Sequence, residues 1–395
     1  MKKYVSLFIV LILLVVILSG CWNSREINTL AIVEAMGIDK TEDGKISLTF
    51  QVLKPDAVNS AGSDGTGGSG NAVTIITSTG ETVYDAIRSA TETSCRRLYF
   101  PFNKIVIIGE EVARDGIGDV TEFLDRNRET RNLEYILIAR GKAEDIVKAT
   151  SEQEKIPAKT IEMLLDVTYV TSQRTKMTLF DIHKILASKT ASIYAPGITT
   201  IEKESKDEEI AIPALEDTAI FNKDKLIGWA NKTETRGFLW ILGEVVSGII
   251  IVSSPREEDK KVSILITGTA VSVIPEIKDE KLYVTINITA QGGIGEQLSE
   301  NVNLTEEEPF KKLQKNYAKA ITDEVNAALN TIQKEWGVDI FGFGKAFYRK
   351  YPKEWKKLEK NWDEEIKNIT VNVQVDARIN SVGMSLYPES YQPEE

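Results

Sequence analysis

Cys21 carries the most defined chemistry in the chain. It follows Leu18-Ser19-Gly20, and a cysteine thiolate is a nucleophile able to accept a carbon-bearing group. Small side chains at Ser19 and Gly20 give a membrane-embedded peptidase access to the backbone. A leucine, two small residues and a cysteine follow the pattern of the bacterial lipobox. In that pattern the Cys21 thiol takes a diacylglycerol, the peptide is cut after Gly20, and the new amino terminus is open to acylation. Each buried methylene contributes about 0.8 kcal/mol and one chain alone binds marginally, so two or more acyl chains make a firm anchor.

Other reactive residues are sparse. Cys95 is the second of two cysteines, so no disulfide framework exists. It follows a helical pattern and is expected to be a packed structural thiol, although Arg96 and Arg97 beside it would favour its thiolate. His183 is the single histidine, and on a helix face it reads as structural. No Gly-x-Ser-x-Gly elbow occurs, and no His/Cys cluster has metal spacing. Gly293-Ile294-Gly295 is not completed as a dinucleotide fingerprint, and Gly342-Phe343-Gly344-Lys345 lacks the remainder of a phosphate loop. Carboxylates number 59, so accidental pairs abound and none is singled out. The reading is of no catalytic residue, no metal and no cofactor.

The start of the chain must deliver Cys21 to a membrane. Lys2 and Lys3 precede an apolar run from Tyr4 to Leu18 broken by Ser6. A charged start, a short apolar core and small residues at the cut make a secretory signal. The run is shorter than the roughly 20 residues of a spanning helix. Removing residues 1–20 of 395 leaves 375, enough for two or three domains. A hydrophobic fraction of 42% with 27% charged residues suits a folded body. Loss of Lys2 and Lys3 takes the formal charge from −11 to −13. That balance argues against nucleic acid as partner and against charge-driven adhesion to anionic lipid, leaving the acyl chains to anchor the protein.

Strands are expected at 27–38 and 46–53, then a Gly/Ser-rich loop at 59–71. Alternating strands and helices follow to residue 148, with helices at 158–168 and 178–188. Pro196, Gly197 and the charged run 202–209 read as a crossing between units. A hairpin turns at Asn222-Lys223-Asp224, a helix spans 234–242, and a strand spans 245–252. Val262, Ile264 and Ile266 alternate, then Val271 and Val273 continue in the opposite phase, which implies a bulge at Gly268-Thr269. The strongest helix is predicted over 306–336, with a Thr305/Glu308 capping box. Its apolar stripe should cross a sheet whose last strand is 369–379. The aromatics from Phe341 to Trp362 read as core. The fold class is α+β, or mixed α/β, and multidomain. Several mixed sheets are expected to pack against helices, with the long amphipathic helix in the C-terminal domain. The domains are a leader at 1–20, an N-terminal α/β region at 21–205, a C-terminal α/β domain at 206–387 and a tail at 388–395.

Several stretches together resemble one family. Gly20-Cys21-Trp22-Asn23-Ser24-Arg25-Glu26-Ile27 with Leu30-Ala31-Ile32-Val33 is similar to the mature start of the Ger(x)C family of spore germination lipoproteins. Lys225-Leu226-Ile227-Gly228-Trp229 and Glu234-Thr235-Arg236-Gly237 resemble that family's C-terminal domain. So do Asp339-Ile340-Phe341-Gly342, Tyr348-Arg349-Lys350-Tyr351-Pro352 and Trp355 with Trp362. The resemblance implies a non-enzymatic germinant-receptor subunit. It would be lipid-anchored through Cys21 on the outer face of the inner spore membrane, beside membrane-spanning A and B subunits. It also implies a mixed α/β body of three compact units. Trp22 to Ile27 is the expected interface, since it lies near the membrane. A solute-binding lipoprotein of a transporter is the alternative, and it requires a cleft between two α/β lobes with convergent polar groups. A carboxylate-based cell-wall hydrolase is the third class.

Overall fold

The computed structural model describes residues 29–54, 72–151, 153–188, 190–205, 208–299, 302–304 and 306–381, together with 3–6, 8 and 26. Cys21, the rest of the leader, the Gly/Ser-rich loop and the tail lie outside the described residues.

Two mixed sheets organise the chain. The first has nine strands, and its centre is β1 (Leu30–Lys40). β1 pairs antiparallel with β2 (Ile46–Leu53) and parallel with β4 (Arg97–Tyr99) and β5 (Ile105–Ile108). β3 (Val73–Gly80) closes one side. β6 (Tyr135–Ala139), β7 (Tyr194–Ser205), β8 (Glu208–Asn222) and β9 (Lys225–Ala230) extend the other. Ile105 to Ile108 are all buried, as expected for a parallel strand covered on both faces.

Helices cover the two faces of this sheet over separate cores. One core holds Met36, Ile38, Phe50, Val106 and Ile108 beneath α1 (Val83–Ser89), α2 (Glu110–Asp115), α3 (Gly118–Arg126) and α6 (Leu179–Leu186). The other holds Ala35, Ile105, Ile107 and Leu137 beneath α4 (Ala143–Lys148) and α5 (Pro157–Asp166). A register shift between Val33 and Ala35 changes which β1 residues face each core. Polar residues at the strand ends fix the helices. Asp39 accepts hydrogen bonds from the Ala143 and Glu144 amides at 2.8 Å each, satisfying orphan donors at the start of α4. Gln51 bridges two helices, donating to Val147 O at 3.0 Å and accepting from Ala158 N at 2.9 Å.

The expected crossing at 194–206 is β7, and the division expected at 205/206 falls at the tip of the β7–β8 hairpin. The first sheet therefore keeps β8 and β9, and the chain leaves it only after Ala230. Ile201 to Glu204 are exposed, so their polar composition reflects a projecting strand pair rather than a linker.

The second sheet runs β10 (Ile249–Ser253), β11 (Lys261–Lys278), β12 (Lys281–Gln297), β13 (Thr370–Ser381). The phase change read at Gly268 is a register shift between Ile266 and Gly268. Between β12 and the parallel β13 runs α8 (Glu307–Ala328), continued by a π-helical stretch, Leu329–Trp336. α8 buries Leu313, Tyr317, Ile321 and Val325. Its N-cap is Glu306, which makes no side-chain cap bond, so it starts one residue later than the expected box; Thr305 lies outside the described residues. α7 (Lys232–Leu242) crosses α8, while α9 (Phe343–Lys350), α10 (Pro352–Leu358) and α11 (Trp362–Asn368) complete the layer. Phe341, Phe343, Phe347, Trp355 and Trp362 are buried, as expected for core, whereas Tyr348 is exposed.

β8 serves both units. Phe221 packs into the first sheet's core and its neighbour Ile220 into the second unit's core. Tyr194 packs against both, with its ring 5.2 Å from that of Phe238.

Candidate functional site

A cleft of about 860 Å³ opens where the two units meet. One wall comes from the segment after α5 and from α6, the other from the end of α7 and from α9. Arg174, Lys176, Lys184, Lys345 and Arg349 line it against Asp181 and Glu244, so it is locally basic within an acidic chain. Burial pushes the Glu244 carboxyl above its ordinary range and Asp181 adds to the push, while Lys184 and the Tyr194 hydroxyl pull it back. Burial also draws Arg174 below its ordinary range, with Asp217 opposing; its Nη1 lies 3.8 Å from Asp217 Oδ1.

The cleft floor is tied across the units. Ser172, in a left-handed conformation at φ 49°, uses its Oγ to accept from the amides of Val246 at 3.2 Å and Ser247 at 3.4 Å. Thr235 Oγ1 lies 3.0 Å from Thr218 Oγ1 and Thr175 Oγ1 lies 3.5 Å from it, a buried hydroxyl chain at the same junction. These groups can hold an anionic or zwitterionic molecule by charge-assisted hydrogen bonds. The residues are drawn from positions 174 to 349, so spacing along the chain did not reveal them.

The family-like motifs prove to be packing devices. Arg236, on α7, donates from Nε to Glu324 Oε2 at 2.9 Å, from Nη2 to Glu324 Oε1, and from Nη1 to Ile249 O at 3.0 Å. Trp240 Nε1 also donates to Glu324, at 3.0 Å. A methyl group on Gly237 would overlap the Glu324 carbonyl oxygen, so glycine lets the two helix backbones touch. Asp339 is buried and accepts from the amides of Gly342, Phe343 and Gly344 at 2.8, 3.0 and 2.7 Å, and from Trp362 Nε1 at 3.2 Å. It therefore caps the start of α9. Gly228 lies against the Trp336 indole, and Trp229 is stacked by the Arg140 guanidinium at 4.5 Å.

The residues singled out for chemistry are not brought together. Cys95 is exposed, not packed. The regular helix ends at Ser89 and the last buried position is Ala90, so the turn after it carries residues 91–95 to solvent before β4 begins. His183 sits on α6 with Nε2 3.7 Å from Asp125 Oδ1. Of the Trp22–Ile27 stretch only Glu26 is described, and its carbonyl accepts from Thr29 N at 3.0 Å. Among the described residues no group of three or more His, Cys, Asp or Glu side chains could hold a metal, and no helix is long and apolar enough to cross a membrane.

Two family models match the chain in order. One, described as the spore germination protein N-terminal domain, covers residues 23–200; the other, spore germination B3/GerAC-like, C-terminal, covers 216–383. Spore germination protein KC of Bacillus subtilis is 28% identical over 406 aligned residues, covering 99% of each chain. Spore germination protein B3 of the same organism is 23% identical, covering 96% of this chain and 99% of its own. The crystal structure of the GerBC protein superposes with a TM-score of 0.56 at 18% identity, covering 87% of this chain and 96% of that one. That structural likeness concerns the fold alone.

Proposed function

Because the chain belongs to the Ger(x)C family of spore germination proteins, we propose that it is a lipid-anchored, non-enzymatic subunit of a spore germinant receptor. In this reading Cys21 carries the lipid, and the folded body sits on the outer face of the inner spore membrane beside membrane-spanning A and B subunits. The observation that carries the reading is the order of its parts. A lipobox ending at Cys21 is followed two residues later by the first family domain, and the second domain occupies most of the remainder. Trp22 to Ile27, between anchor and fold, is the segment offered to the partners.

The test is Cys21→Ala in the full chain, expressed in spores. Loss from the membrane fraction and from complexes purified through the A and B subunits is expected, with a slowed nutrient response. A variant that stays membrane-bound, processed and active refutes the anchor.

The inter-unit cleft favours a second reading, a solute-binding lipoprotein, because its converging charges meet that reading's requirement. Titration of the mature chain with amino acids, followed by calorimetry, separates the two. Tight binding with no association with A and B subunits would favour the transporter reading.

A further inference from the structure

The overall charge conceals a cluster of arginines at the end where the fold begins. Leu30, the first residue of β1, pairs with Arg97 of the parallel β4. Residues 94–104, which lead into and out of β4, contain Arg96, Arg97 and Lys104 and no acid. The segment entering β6 adds Arg126, Arg128 and Arg131 at the same end, joined to β4 by the bond from Arg97 Nη2 to Glu129 at 3.1 Å. Glu129 pairs with Arg97, Glu122 with Arg126 at 2.7 Å and Glu162 with Lys104, while Glu134 is buried; Arg96, Arg128 and Arg131 remain without an ion-pair partner among the described residues.

Between these segments lies a groove of about 630 Å³. Its floor is apolar, made by Ile87, Leu98, Phe100 and Phe123, and arginines 88, 97, 126 and 128 stand at its rim. Phe102 and Leu133, in the two loops flanking this end, are 53% and 77% exposed. Arginine forks match phosphate oxygens, and their stems lie along apolar surface while the charge stays in the polar layer. Eight residues separate Cys21 from Leu30, so even fully extended this segment reaches only about 30 Å.

We propose that this end of the molecule is a membrane-contact face, and that its groove and arginines take the phosphate headgroups of anionic phospholipid. The proposal rests on the lipid-anchor reading, because the short segment after Cys21 is what brings the face to the bilayer. The negative charge of the remainder does not oppose it strongly, since exposed charges beyond about 10 Å are screened at ordinary salt. The negative charge is spread over both units, −8 for residues 21–230 and −5 for 231–395, so the contact depends on the arginines and apolar side chains gathered at this one end.

The experiment uses residues 22–395 without lipid. The buried hydrophobic core of the described residues runs from Leu30 to Ile379, so this chain folds without its leader. Cosedimentation is measured with vesicles of phosphatidylcholine alone and of phosphatidylcholine with phosphatidylglycerol. Preference for the anionic vesicles, weakened by salt, is expected. Arg96→Gln, Arg128→Gln and Arg131→Gln together should lower that partitioning by roughly fivefold per arginine, on the order of a hundredfold in all. Lys353→Gln, Lys356→Gln and Lys357→Gln make the same charge change on α10 and should lower it far less. Equal binding to both vesicles, or equal losses from the two triple variants, overturns the proposal. So does an arginine variant that keeps vesicle binding but loses the A and B subunits, which would mark a protein interface. Acyl labelling of Cys21 in the full chain reports separately on the anchor, so the two ideas fail independently.

Discussion

Glu134→Gln should stabilise the protein at alkaline pH and leave it unchanged in acid. Glu134 stands just before β6 and is 2% exposed. One oxygen accepts from the Arg131 amide at 3.1 Å, while Oε2 has no partner and neither does Asn103 Oδ1. Burial raises its carboxyl from the ordinary 4.5 to about 7, against weaker opposing pulls from the Arg131 amide and the Asn103 side chain. The folded state therefore holds the proton more tightly than the unfolded state. Below 4.5 both states are protonated and the group's full contribution is present. As pH rises from 4.5 to 7 the unfolded chain ionises first and stability falls. The loss spans about 2.5 pH units at about 1.4 kcal/mol each, or about 3.5 kcal/mol, complete above pH 7. Glutamine keeps the acceptor for Arg131 and brings a donor for Asn103 without a charge. Amide exchange at β6, measured in residues 22–395 across pH 4 to 8, reads the local opening free energy without assuming that both units unfold together. The variant should exceed the wild type by up to about 3.5 kcal/mol at pH 8 and match it near pH 4. Parallel profiles across the whole range would refute the claim that burying this carboxylate costs stability.

Glu324→Ala should destabilise the second unit by about 3–5 kcal/mol, since it strands the buried Arg236 guanidinium, and Arg236→Met with Glu324→Leu should recover most of that in urea unfolding followed by tryptophan fluorescence. Asp339→Ala leaves three amides and the Trp362 indole without their acceptor; a loss of at least about 3 kcal/mol is expected, read as early exchange of the first amides of α9. Cys95→Ser should shift stability by no more than about 0.5 kcal/mol in thermal unfolding, because the side chain is exposed.

Local patterns were legible where one face of an element meets a core. β2 and α4 have the boundaries their periodicity predicts. The phase slip at Gly268 is a bulge because alternation records which side each residue faces. The turn at Asn222-Lys223-Asp224 joins β8 to β9, with Lys223 at φ 58°. Three residues of β4 offer too short a pattern to read, and the exposed end of β7, Ile201 to Glu204, carries no alternation. Cys95 was misplaced because the helix before it ended early, and no residue near it signals the stop. The cleft and the Arg236–Glu324 pair depend on contacts between distant segments, for which spacing has no counterpart. Family resemblance supplied the motif residues, but only the structure gives the reason for them: Arg236, Gly237 and Asp339 hold helices in place.

β8 is a party wall. Because successive residues of one strand fill separate interiors, neither body can rotate about the other without unpacking both. The two bodies thus share a strand rather than a linker. Enlarging Ile220 on one side would be felt at Phe221 on the other.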